Sequence, residues 1–231
     1  MRATASARAA VPRRFGGWGR AARSAGDGAA AVTVPAASER FERAVAEIDQ
    51  ANADDPFTIL VDGVERPKEL AHAELMTETV RRLDPDADEI QLLAARAHHL
   101  RRWTVPRSSF PDGRAGYLRW RTDRKKQHAA DVGEILARCG YDADEIDHVQ
   151  RIVRKEGLGR DPAVQTHEDA LCLVFLQTQF ADLADQLGDE KIVAVVAKTM
   201  AKMSPEAIDA VGSLGLPDPL LAIVGDAASR G

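Results

Sequence analysis

From Ser38 nearly to the end of the chain, apolar residues recur three and four positions apart, a spacing that gathers them on one face of an α-helix. Phe41, Val45 and Ile48 open the series, and Leu70, Ala73, Val80 and Leu83 continue it. Between Ala170 and Phe180 apolar residues surround the helix axis, the pattern of a helix buried on all sides. Alanine is abundant, aromatic residues make up 5% of the chain, and β-branched residues form no alternating runs, so strands have little to build on. A chain of 231 residues, 45% of them apolar, is long enough for one well-packed core. The expectation is an all-α fold, a single helical bundle over residues 39–226.

Turn residues divide the bundle. Thr58 to Glu65 contains a β-like run and an Asp-Gly pair and reads as a connecting loop, with a small hairpin as the alternative. Pro67 suits the first turn of a second helix that Pro85 ends, and a third is expected from Asp86 to Trp103. Pro106, Pro111 and Gly113 mark a loop before a long helix, Ala115 to Cys139, which Gly140 can close in a left-handed cap. Further helices start at Asp142 and Pro162, and two shorter ones, Glu190 to Lys202 and Pro205 to Leu214, precede a weakly amphipathic tail.

Residues 1–38 differ from the rest. They hold six arginines and a single acid, Asp27, with no apolar period, and read as a disordered basic arm. The only cysteines, Cys139 and Cys172, lie in apolar helical stretches without a CxxC partner, which argues against a disulfide framework or a cysteine zinc site and for a reducing, cytoplasmic setting. No stretch reaches the roughly 20 apolar residues that cross a bilayer, so no membrane partner is expected.

The chemistry lies in the imidazoles. His72 falls on the second expected helix, His98 and His99 on the third and His128 on the fourth, so separate helices can bring them to one pocket. Adjacent helical residues point about 100° apart, and a His-His pair meets one ion only if the ion lies across the face between them. Ala94, Ala95 and Ala97 leave room there, although small residues also simply permit close helix packing. Asp169 begins the most apolar stretch, where an unpaired carboxylate is costly; a metal, an arginine or a main-chain amide would each resolve it. His72, His98, His99 and Asp169 form the expected metal set. His148 and His167, in acidic contexts, are given no role.

The phrases ELAHAELM, AARAHHLRRW, HAADVGEIL and EDALCLVFL together resemble the HD-domain superfamily. That resemblance implies a helical metallo-fold in which a histidine, a His-Asp pair and a distal aspartate hold a metal that activates water for phosphoester hydrolysis. His72, His98 and Asp169 match the first, second and last of these positions, and His99 stands where the pattern has aspartate. Over Arg40 to Ser204 the chain is more closely similar to the domain of unknown function 4202 family, through RPKELAHAELM, AARAHHLRRW, PRSSFPDGRAGYLRWR and EDALCLVFLQTQF.

Between Arg96 and Lys126 eight arginines and two lysines face only Asp112 and Asp123, a formal charge of plus eight beside the histidines. Guanidinium groups bind phosphate in a planar fork, so an anionic small-molecule substrate is expected, with Arg101, Arg102, Arg107, Arg114 and Arg119 as its binding residues. The expected function is metal-dependent hydrolysis of a phosphorylated small molecule of the nucleotide class. A divalent transition metal (Mn, Fe, Co, Ni or Zn) would activate water, and His128 would serve as general acid or as ligand to a second ion. Trp103, Phe110, Tyr117 and Trp120 interleave with the arginines, so a non-catalytic RNA or nucleotide binder with a structural or vestigial metal site is the alternative. Iron would further admit the oxygenase chemistry of HD-like folds.

Overall fold

The computed structural model describes residues 38–61 and 63–229. The expected arm lies outside them except for Ser38, which caps the first helix by accepting the Phe41 amide through its hydroxyl at 3.2 Å. The all-α expectation holds: ten α-helices and one two-stranded hairpin make up the described regular structure, apart from three short 3-10 turns.

Helix α1 spans Glu39–Ala53 and leads into the hairpin β1 (Thr58–Val61) and β2 (Val64–Pro67). The loop expected here is therefore a hairpin, with Thr58 opposite Pro67 and Val61 opposite Val64. Gly63, at φ 81, supplies the left-handed residue that a two-residue turn requires. α2 (Lys68–Leu83) follows directly, and α3 (Glu89–Ala97) opens on a capping box between Asp88 and Gln91.

α3 is shorter than expected at both ends. His98 and His99 do not lie within it but in the turn that leaves it, because the chain turns left-handed at Arg101 (φ 52) and forms 3-10 turns at Arg102–Thr104 and Arg107–Ser109.

α4 (Gly113–Cys139) ends, as expected, on Gly140 at φ 91. α5 (Ala143–Arg154) starts from an Asp142–Glu145 capping box, and α6 (Pro162–Thr178) from Asp161 with proline in its first turn. α7 (Phe180–Leu187), unforeseen as a separate helix, is followed by α8 (Asp189–Met200) and α9 (Pro205–Ala210). The tail is a regular helix, α10 (Asp218–Ala228), which packs on α8. No helix among the described residues is long and apolar enough to cross a membrane.

Two large cores and a bridge fill the fold. Ile48, Leu93, Leu100, Leu136 and Ile152 unite α1, α3, α4 and α5, while Leu173, Phe180, Ile192 and Val196 unite α6, α7 and α8. Met76, Val80, Ala95, Ala170 and Val174 join α2, α3 and α6 between them. Arg96 fixes α3 to α1 through a two-pronged bond to Asp49 (2.6 and 2.5 Å). The turn after α3 thus lies where α2, α4 and α6 approach it.

The loop before α4 depends on Gly116, where a Cβ would overlap the Pro111 carbonyl oxygen, a backbone atom that cannot swing aside. Gly116→Ala should lower the free energy of urea unfolding by about 1–3 kcal/mol, the usual cost of overpacking. Gly212→Ala, with open space around it, should leave the midpoint nearly unchanged.

Candidate metal and anion site

Asp55, 6% exposed, organises the start of the site: its Oδ1 accepts the Phe57 amide at 2.9 Å and its Oδ2 the Glu69 amide at 3.0 Å. This anchors the first turn of α2, so that Glu69 and His72, three residues apart, share one helix face. On the opposite side the Asn52 side-chain oxygen accepts the Arg101 amide at 3.1 Å and holds the left-handed turn that carries His98 and His99.

Glu69 Oε2 lies 3.5 Å from His72 Nδ1 and 3.2 Å from His99 Nδ1. Ligand atoms of Glu69, His72 and His99 all fall within 4.8 Å of one another, a group able to hold a metal ion. The His98 and His99 rings stack at 3.9 Å between centroids; His98 meets His167 edge-on at 6.2 Å, and His99 tilts toward His128 at 5.9 Å. Five imidazoles from α2, the turn after α3, α4 and α6 thus form one cluster.

Hydrogen bonds fix two of the ring tautomers. His128 Nδ1 is 2.7 Å from the Leu100 carbonyl, which only accepts, so Nδ1 carries the proton and Nε2 a lone pair. Arg102, which only donates, reaches His99 Nε2 at 3.0 Å, so the neutral His99 ring donates from Nδ1 to Glu69. His99 joins an ion through Nδ1 only by releasing that proton. Elsewhere the cluster is open-handed: among the described residues His72 Nε2, His98 Nδ1, His128 Nε2 and both nitrogens of His167 are buried without a partner. Such groups are costly to bury, and an ion would satisfy them.

Burial pushes the His98 and His99 pKa values well below the ordinary value, and the neighbouring His99 and Arg102, respectively, push in the same direction. Burial likewise lowers His128 to about 4, against the Leu100 bond, and His167 to about 3, helped by the positive charge of Lys155. Burial alone would raise the Glu69 carboxyl, but the bond to His72 and the charges around it bring it below the usual carboxylate value. Near neutral pH His98, His99, His128 and His167 are therefore uncharged beside the Glu69 carboxylate, and a neutral imidazole with a free lone pair is the form that binds metals.

The other expected residues are distributed more widely. Asp169, 4% exposed, accepts the Ser204 amide and the Gln165 side-chain amide through Oδ1, both at 2.9 Å, and ties α6 to the start of α9. Of the five arginines, Arg102 reaches the histidines; its guanidinium lies 4.6 Å above Trp120 and lines a cleft of about 150 Å³ with Phe57, Lys68, Glu69 and Trp120. Arg107 donates to the carbonyls of Phe110 (2.8 Å), Pro111 (2.8 Å) and Gly113 (3.3 Å), holding its own loop. Arg101 and Arg114 are exposed, and exposed Arg119 lines a separate cleft of about 420 Å³ with Phe110, Leu118 and Lys126.

Sequence reasoning missed Glu69, although a glutamate three residues before a helical histidine is a recurrent metal-ligating pair in helical bundles. It also misjudged His167, which is 2% exposed and part of the cluster: the acidic residues that made it look exposed, Glu168 and Asp169, are themselves buried.

The depressed imidazoles carry a stability signature. A folded-state pKa below the unfolded value near 6.5 means that the unfolded chain takes up protons first, so stability falls as pH drops from about 6.5 toward 4. His128 alone contributes roughly 3 kcal/mol over that range. The thermal midpoint of chelator-treated protein should already fall between pH 6.5 and 5, above the range where ordinary carboxylates titrate; a flat midpoint there would show that the rings are not buried neutral.

In comparison with known proteins, one family model matches, described as a domain of unknown function (DUF4202), over residues 42–224, from α1 into α10. Neither the curated proteins nor the solved structures give a match.

Proposed function

The chain belongs to the DUF4202 family, and from that premise we propose that it is a metal-dependent phosphohydrolase acting on a phosphorylated small molecule of the nucleotide class. The observation that carries the reading is the cluster of buried imidazoles with unpartnered nitrogens around Glu69. The resemblance to HD-domain proteins supports it. Where that pattern has an aspartate this chain has His99, and Glu69 provides a carboxylate 3.2 Å from the His99 ring.

Glu69, His72 and, once its Nδ1 proton is released, His99 would hold the ion, with His98 and Asp169 as further ligands implied by the resemblance. A divalent transition metal, Mn, Fe, Co, Ni or Zn, would supply Lewis-acid chemistry there, activation of water and polarisation of a phosphoryl oxygen. Arg102 orients the substrate's phosphate from the cleft that reaches Glu69. His128 serves as an acceptor rather than as the general acid: its Nδ1 proton is held by Leu100, Nε2 carries only a lone pair, and its pKa lies about 4.

Elemental analysis of protein purified without chelator, followed by a screen of phosphate esters with the metal found, tests the reading. Native protein should carry stoichiometric metal and hydrolyse at least one ester. His72→Ala and Glu69→Gln should lose metal affinity by about tenfold or more. A native protein that takes up no metal even after reconstitution overturns the proposal.

A second reading, RNA binding, is favoured by one observation. Tyr117 and Leu118 are 44% and 48% exposed on α4 beside exposed Arg114, Arg119 and Lys126. Binding of single-stranded RNA that weakens steeply with salt and is lost in an Arg119→Ala, Lys126→Ala double variant would favour it; salt-insensitive or absent RNA binding would exclude it.

A further inference from the structure

His167 has no task in the reading above. It is 2% exposed, and neither ring nitrogen has a partner among the described residues. The residue after it, Glu168, has a side chain 3% exposed and pairs with two ammonium groups: that of Lys155, and that of Lys202 at 3.5 Å. Lys155, its side chain 10% exposed, is brought there by the left-handed turn that closes α5 (φ 61). Lys202 comes from the turn after α8. From α4, half-buried Lys125 acts electrostatically on His167, Glu168 and Lys155, and half-buried Arg121, one turn earlier, acts on Lys125 and Lys155.

The charges in this pocket do not balance. Three lysines and an arginine stand against two buried carboxylates, Glu168 and its neighbour Asp169, an excess of two positive charges. Burial pushes the Lys125 pKa down, and Lys155, Arg121 and Lys202 add repulsion in the same direction. Lys155 is lowered by burial as well, although Glu168 opposes the shift. A partly buried excess of this kind costs stability unless an anion enters, and lysine is a common phosphate-binding group. A singly charged carboxylate would leave half of the excess; a phosphate dianion removes both charges. An oxygen acceptor would also meet a His167 ring that has nothing else to bond.

We propose that Lys125, Lys155 and Arg121 form a phosphate-binding subsite closed at its inner end by His167, with Glu168 as the resident counterion that holds Lys155 in place until the phosphate arrives. Lys202, its side chain 41% exposed, stands at the rim. Only the identification of this phosphate as part of the substrate rests on the phosphohydrolase reading. The binding of phosphate itself does not require a metal.

Titration calorimetry of the full chain, stripped of metal with chelator, tests the subsite with inorganic phosphate and pyrophosphate as probes and acetate as the control. Phosphate should bind the native protein and acetate should not. Lys125→Met should weaken phosphate at least tenfold, whereas Glu168→Gln should tighten it, because the competing carboxylate charge is gone. Lys191→Met, at an exposed position on α8, should bind as the native chain does. The opposite signs separate a ligand site from a structural ion pair, for which both pocket substitutions would lower stability without moving affinity in opposite directions. A native chain that ignores phosphate, or a Lys125→Met chain that binds it normally, overturns the inference. Stoichiometric metal without phosphate binding would overturn this subsite and leave the metal reading intact; phosphate binding without metal uptake would do the reverse.

Discussion

Glu69 Oε2 sits 3.2 Å from one imidazole and 3.5 Å from another with only 4% of the residue exposed. An ionised carboxylate buried to that degree survives only with good partners. The partners come from two elements, His72 on α2 and His99 in the turn after α3, and they determine how those elements must meet. Asp55 pins the start of α2 and Asn52 pins the Arg101 turn, so both supports lie at the end of α1 or just beyond it. The second partner of His99, Arg102, connects the buried carboxylate to the cleft beside Trp120.

Burial also selects the chemistry. Desolvation disfavours charged imidazole, so His98, His99, His128 and His167 are neutral at physiological pH and bring ring nitrogens rather than positive charge. Positive charge is instead supplied by Arg102, Lys125, Lys155 and Arg121, which surround the rings without replacing them. A site with neutral nitrogen donors at its centre and cations at its margin suits a metal ion and an anionic substrate at the same time.

Much of this was legible in the sequence. Helical apolar spacing gave the bundle, and the terminators gave several boundaries, because Gly140, Asp142 and Pro162 act through local backbone preferences that do not depend on the rest of the fold. The hairpin at Thr58–Pro67 was harder to see, since a short strand pair is decided by what it packs beside. The end of α3 was missed because Arg101 adopts a left-handed conformation that its side chain does not announce. Histidines on separate helices pointed to a pocket, but Glu69 and His167 became visible only once burial was known: a glutamate in a first helical turn and a histidine beside two acids look like surface residues in a linear chain. The basic segment reads as a set of anion-binding arginines in the linear chain, yet Arg107 is consumed by its own loop, and Lys155, which reaches buried Glu168, lies outside that segment altogether.

The central claim is that neutral imidazoles and Glu69 form a metal centre. X-ray absorption at the edge of the bound or reconstituted metal, on the native chain and on His72→Ala, tests it most directly. The account predicts a first shell of mixed nitrogen and oxygen donors with the scattering signature of at least two imidazole rings, and one ring fewer in the variant. An all-oxygen shell, or an imidazole count that does not change when His72 is removed, would contradict it.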